Sequence, residues 1–189
     1  MPGEITITWS KAHPEIAGRS LAWIAAAWNL TQMEVARRVQ PAGAIYHSLF
    51  EGDVRRILRH AATMIDSDGL PNDPRPHPRL WGTFPGVLGR YGREENLFTL
   101  AEAVHKMTGL PAQRFGLAGR GLIREGYSAD LTLFDPKKIK DTATYADPIR
   151  AAEGLIGVWV NGVLSYTAKG ATQDRAGCFV PRGRTGWLQ

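Results

Sequence analysis

The chain has 189 residues, 43% of them hydrophobic and 22% charged, with a net charge of +5 and one cysteine, Cys178. That length suits one domain with a true core, or one domain and a piece of another, and a lone cysteine excludes an internal disulfide. With no apolar run near 18 residues and arginines spread without the aromatic interleaving of a single-strand groove, a cytoplasmic protein with no nucleic-acid and no membrane partner is expected.

The opening MPGEITITW lacks the basic start and apolar core of a signal peptide. Within it, EITITW alternates apolar and β-branched residues and predicts a strand over 4–9. Leu21, Ile24, Ala25 and Trp28 then recur at helical spacing behind Ser20, a candidate N-cap. Thr31 followed by Glu34 has capping-box spacing and opens a second short helix over 31–39. GAIYHSLF reads as a second strand, EGDVRRILRH as an amphipathic helix, and AATMID as a third strand. Residues 4–68 therefore alternate strand and helix, which argues for parallel βα units with right-handed crossovers.

Ser67 to Trp81 is a long proline-rich loop, with prolines at 71, 74, 76 and 78. Trp81 and Phe84 just beyond it argue for packing. FPGVLGRYGRE and TLAEAVHKMTGLPAQRFGL look helical, with Gly109 as a helix stop and Pro111 as the next start. After Gly119 the character turns to β. YSADLTLFD alternates as a strand does, and Asn161-Gly162 between two apolar runs signals a hairpin.

The chemistry gathers where the third strand meets the loop. Asp66, Asp68 and Asp73 fall within a few residues of Arg75, His77 and Arg79. In parallel α/β folds, ligands bind beyond the carboxyl ends of the strands. Asp68 stands at such a point and can ligate a metal or take a proton from water, or equally can close an Asx-turn. Strand parity would put Asp66 on the same side as Asp68, although a solvent-facing turn acid explains Asp66 as well. Arg79 can receive a carboxylate with bidentate geometry, or simply pair with Asp73. An EF-hand is excluded because Gly69 falls in the fourth place and His77 stands where the bidentate Glu belongs. No H-x-H, H-E-x-x-H, paired-cysteine or G-x-S-x-G spacing is present. His60 and His105 read as structural, Gly119-Arg120-Gly121 as a turn, and Cys178 as a spectator thiol.

Five stretches, ITWSKAHPEIAGRSLAWIA, QPAGAIY, MIDSDGLPNDPRPHPRLWGTFPGVLGRYGRE, AVHKMTGLPAQRFGLAGRG and GYSADLTLFDP, together resemble the C-terminal part of the N-acyl-D-amino-acid deacylases of the amidohydrolase superfamily. The most specific portion is S-D-G-L-P followed by H-P-R and G-T-F-P.

The resemblance implies an α/β chain: the C-terminal part of a metal-dependent (β/α)8 barrel plus part of a small β-sandwich. Residues 1–118 would be the barrel segment, with an active-site loop at 66–83, and residues 119–189 the sandwich segment. It implies Asp68 as general acid/base and as a weak or second-site metal ligand. Arg79 would hold the α-carboxylate of an N-acyl-D-amino acid, with His77 as a loop contact. Zinc is implied for the complete enzyme.

Two departures stand out. Asp66 replaces a glycine, and the main zinc ligands (an H-x-H, a bridging cysteine and two further histidines) have no counterparts. The chain also has too few βα units to close an eight-stranded barrel. It is therefore expected to be a truncated reading frame, one half of a split protein or an expressed piece, inactive alone. Its expected partner is a missing N-terminal half or a second copy of itself. The alternative is a non-catalytic remnant or interaction module of the same fold.

Overall fold

Alternating β-branched residues make β1 (Glu4–Ser10) a strand that sinks Ile7, 3% exposed, into the core. The computed structural model describes residues 4–71, 73 and 75–182. Pro74 of the proline-rich loop and residues 183–189 of the expected sandwich segment lie outside the described residues. The chain divides into two compact units. One comprises residues up to Leu58, Ser67–Trp81 and Ala143–Arg150. The other comprises Arg59–Asp66, Gly82–Thr142 and the residues from Ala151.

In the first unit, β1 is followed by a 3-10 turn (Pro14–Ile16), then α1 (Leu21–Trp28), α2 (Gln32–Arg38) and β2 (Ala42–His47). The Ser20 hydroxyl accepts from the Trp23 amide, and Leu21, Ile24 and Ala25 are buried at the expected helical spacing. α1 stops at Asn29, whose left-handed backbone (φ 54°) suits asparagine better than most residues. Thr31 and Glu34 then form the full reciprocal capping box of α2, a cap worth about 1 kcal/mol. The core joins Ile7, Ile16, Leu21, Ile24, Ala25, Val35 and Val39.

β1 and β2 pair antiparallel, from Glu4 opposite His47 to Ser10 opposite Ala42, where the sequence had argued for parallel strands. The reason lies in the connection. A single helix would carry the chain back to the start of β1. Two short helices in succession, reversing at Asn29, return it to the end it left. The junction is fastened there: the Ser10 hydroxyl donates to the Val39 carbonyl at 2.6 Å, and the Lys11 amide donates to the Pro41 carbonyl at 3.0 Å. Helix α3 (Glu51–Arg59) forms as expected, yet it buries no residue, and Ile57 stays 59% exposed.

In the second unit the expected third strand does not form. Residues 61–66 have no ladder partner among the described residues, and a strand is defined by its partner. The segment is instead held by α5 (Leu100–Met107). The Ile65 amide donates to the Lys106 carbonyl, and the buried Lys106 ammonium donates to the His60 carbonyl at 2.5 Å. Burial lowers the pKa of that lysine. Thr99 and Glu102 cap α5 with a second capping box.

Helix α4 (Arg79–Gly86) begins in the first unit's loop and leads into a π-helical stretch (Val87–Glu94). Pro85 lacks the N–H that a regular ladder requires. Gly89 packs so closely on the Ile139 carbonyl that an added Cβ would lie 2.4 Å from its oxygen. The break before α6 (Gly109–Phe115) falls at Thr108, with φ −133° and ψ −82°, so Gly109 starts a helix where it was expected to stop one. Pro111 lies in the first turn of α6, close to the expected start.

A four-stranded antiparallel meander follows: β3 (Leu131–Phe134), β4 (Leu155–Val160), β5 (Val163–Thr167) and β6 (Gly170–Ala171). The β4–β5 turn is Asn161-Gly162, both with positive φ as a tight hairpin requires. No helix among the described residues is long and apolar enough to cross a membrane.

Candidate functional site

The first unit carries a cleft of about 640 Å³ between the end of β2, the proline-rich loop and the 143–150 segment. Its floor is the β1–β2 ladder, through Thr8 and His47. Its charged wall is Asp68, Asp73, His77 and Arg79, and Tyr145 closes one side. The exposed Tyr46, Leu49 and Leu70 are among its apolar lining.

Local geometry explains how the loop delivers these groups. Gly69 lies against the first turn of α4, where an added Cβ would come within 2.8 Å of the Leu80 Cα. Only glycine permits that approach. Next to it, Asp68 has φ +46°, a left-handed conformation that aspartate tolerates better than most residues. The extended parity that would align Asp66 with Asp68 is therefore broken at Asp68.

The turn sets Asp68 beside Arg79. Arg79 Nη2 reaches Asp68 Oδ2 at 2.6 Å, and Arg79 Nε donates to the Asp68 carbonyl at 3.0 Å. Asp68 is 77% and Arg79 40% exposed, so this pair contributes little to stability. Among the described residues, Asp68 Oδ1 and Arg79 Nη1 make no hydrogen bond.

Asp73 does the work of an Asx-turn. Its Oδ1 accepts the Arg75 amide at 3.0 Å, and its Oδ2 accepts the hydroxyl of the buried Thr8 at 3.3 Å. Pairing between Arg79 and Asp73 is not the arrangement found. Arg75 is spent on the scaffold: Nη2 donates to the Ala146 carbonyl at 2.9 Å, and the guanidinium lies over Gly18.

His77 Nδ1 accepts the Arg79 amide at 3.0 Å, which makes Nε2 the protonated nitrogen of the neutral ring, 3.3 Å from the Tyr145 hydroxyl. Burial, helped by the Arg79 charge, pushes the His77 pKa down to about 4. The imidazole is neutral at pH 7.

The sequence-based candidates Asp68, His77 and Arg79 thus come together in one cleft, while Asp66 belongs to the other unit. Other lining residues carried no expectation as site residues, His47 and Tyr145 among them. His47 is the last residue of β2. Tyr145 comes from an irregular stretch with no sequence signal.

The described residues fit a metal poorly. Among the described residues, no three His, Cys, Asp or Glu side chains converge to hold a metal ion, and a bound zinc commonly uses three or four protein ligands. Asp68 alone is no metal centre.

The family model "Amidohydrolase family" matches residues 18–166. A D-aminoacylase of Alcaligenes xylosoxydans xylosoxydans is 51% identical over 182 residues, covering 96% of this chain and 38% of the relative. A crystal structure of D-aminoacylase superposes with a TM-score of 0.93 at 50% identity, over 95% of this chain and 38% of the other. The N-acyl-D-glutamate deacylase of Bordetella bronchiseptica, solved with zinc and a phosphonate mimic of the tetrahedral intermediate, gives 0.86 at 51% identity, over 88% of this chain and 35% of the other. The chain thus spans little more than a third of the length of these relatives.

Proposed function

Since the chain belongs to the amidohydrolase family, we propose that it is the C-terminal portion of a zinc-dependent hydrolase that cleaves the amide bond of N-acyl-D-amino acids to a carboxylate and a D-amino acid. The observation that carries this reading is the Asp68–Arg79 pair in the cleft. Arg79 Nη1 receives the substrate's α-carboxylate as a charge-assisted hydrogen bond. Asp68 Oδ1 accepts the proton of the attacking water and returns it to the leaving nitrogen. A zinc held by the complete enzyme would supply Lewis-acid chemistry; no step is assigned to a metal on this chain because its described residues do not form a site for one.

Residues 1–118 are then a barrel segment and 119–189 a sandwich segment, in a cytoplasmic enzyme. The partner is a polypeptide that supplies the metal ligands. The decisive experiment is a chimera in which this chain replaces the matching part of the D-aminoacylase relative. Zinc-dependent release of D-amino acid, lost in Asp68→Asn, is the expected result. The lack of a three-ligand cluster among the described residues favours a second reading, a non-catalytic module. A folded, zinc-loaded chimera without activity would establish that reading.

A further inference from the structure

The proposed carboxylate-binding arginine is not held by its ion pair alone. Tyr145 is placed by a tight turn, in which the Thr144 amide donates to the Asp147 carbonyl and the Asp147 amide donates to the Thr144 hydroxyl. Its ring stands edge-on to two imidazoles, His47 at 4.7 Å and His77 at 5.1 Å. His47 is tied to the strand floor, with Nε2 at 3.2 Å from the Thr6 hydroxyl. His77 in turn meets the Tyr145 hydroxyl with Nε2 and takes the Arg79 amide on Nδ1.

We propose that Tyr145 is a positioning residue for Arg79, acting through His77: its hydroxyl holds the imidazole in the tautomer whose Nδ1 fastens the first residue of α4.

The chemistry follows from the donor inventory. A neutral imidazole has one N–H and one acceptor nitrogen. A hydroxyl that accepts from Nε2–H leaves Nδ1 as the acceptor, which is what the Arg79 amide requires. The amide is an orphan donor at a helix start and has no intrahelical carbonyl to use. Edge-on packing against His47 ties the tyrosine to β2, so β1 and β2 act as the rigid base of the relay. His77 and Tyr145 are 68 residues apart. A contact of that span constrains the loop far more than local turn chemistry does. The depressed pKa of His77 agrees with the assignment, since a protonated ring would have no acceptor to offer. The inference rests on the reading of Arg79 as the carboxylate site, but its test does not.

Hydrogen exchange at the Arg79 backbone amide, followed by NMR on the full chain at pH 7, decides it. Tyr145→Phe keeps the ring and its packing and removes only the hydroxyl. Exchange at Arg79 is expected to rise about two- to tenfold, the scale of one net hydrogen bond, while the Ile24 and Val35 amides are unchanged. His77→Asn places an amide oxygen where Nδ1 stood and is expected to keep Arg79 protected. In that background Tyr145→Phe should add nothing, the signature of action through His77. Unchanged Arg79 exchange in Tyr145→Phe overturns the relay. So does an equal acceleration in the His77→Asn background. The carboxylate role is read separately, from the shift of the Arg79 Nε–H resonance with excess N-acetyl-D-leucine. A silent Arg79 signal there removes the substrate reading and leaves the exchange data to judge the relay.

Discussion

The α1–α2 hairpin and the cleft belong to the same compact unit but are built by opposite means. Between Ser20 and Val39 every stop and start has a partner within a few residues: Ser20 with Trp23, Thr31 with Glu34, Asn29 in its left-handed cap. The cleft is assembled from contacts of long span: Thr8 with Asp73, Arg75 with Ala146, His77 with Tyr145. The first region shows that short-range rules and a buried apolar stripe suffice to make a scaffold. The second shows that a site of exposed polar groups needs that scaffold at several points at once. Stability and chemistry should therefore separate under mutation.

The largest separation is expected at Asp68. In the active chimera, Asp68→Asn should lower kcat by about 10²–10⁴-fold, the usual worth of a general acid/base. Its melting temperature should hardly move, because the side chain is 77% exposed. A comparable fall in melting temperature would show that the carboxylate serves the fold. Ile24→Ala is the converse case. The side chain is fully buried, and its truncation should cost about 2–5 kcal/mol in urea unfolding. Thr31→Ala removes only a cap and should cost about 1 kcal/mol.

Acid should act on the cleft before the hairpin. Burial holds the pKa of the folded chain's His77 at about 4, well below the ordinary 6.5 of a free imidazole. Between those two values the unfolded chain binds a proton that the folded chain does not, so stability present above pH 6.5 falls as the pH drops towards 4. His77→Gln should flatten that part of the stability profile, which chemical denaturation at a series of pH values would read. The smallest effect is expected for Arg79→Gln, where loss of an exposed ion pair should change stability by less than about 1 kcal/mol. In the chimera the same substitution should raise KM for N-acyl-D-amino acids.

The same division governs what could be read before the fold was seen. Ser20, Thr31 with Glu34, and Asn161-Gly162 announced their roles because caps and tight turns depend on neighbours in the chain. Asp68, His77 and Arg79 stood out as charged groups where AATMID meets the loop, and the S-D-G-L-P and H-P-R stretches carried the family, with which the amidohydrolase match agrees. β1 and β2, expected to pair parallel, are antiparallel in the structure; periodicity marks a strand without giving its direction. Two helices in place of one reversed the return. AATMID had the composition of a strand and found no partner among the described residues.

By itself the amino-acid sequence determined the capped helices α1 and α2, the Asn161-Gly162 hairpin, the buried stripe of α1 and the family to which the chain belongs. Hydrophobic periodicity, capping and motif spacing all act over a few residues and survive in one dimension. Only the tertiary structure decided that Asp68 would be bound by Arg79, that Asp73 would tie the loop to Thr8, and that Tyr145 would stand between His47 and His77. A hydrogen bond or ring contact between residues tens of positions apart leaves no period in the chain. It exists only once the strands, the loop and the 143–150 segment have been packed together.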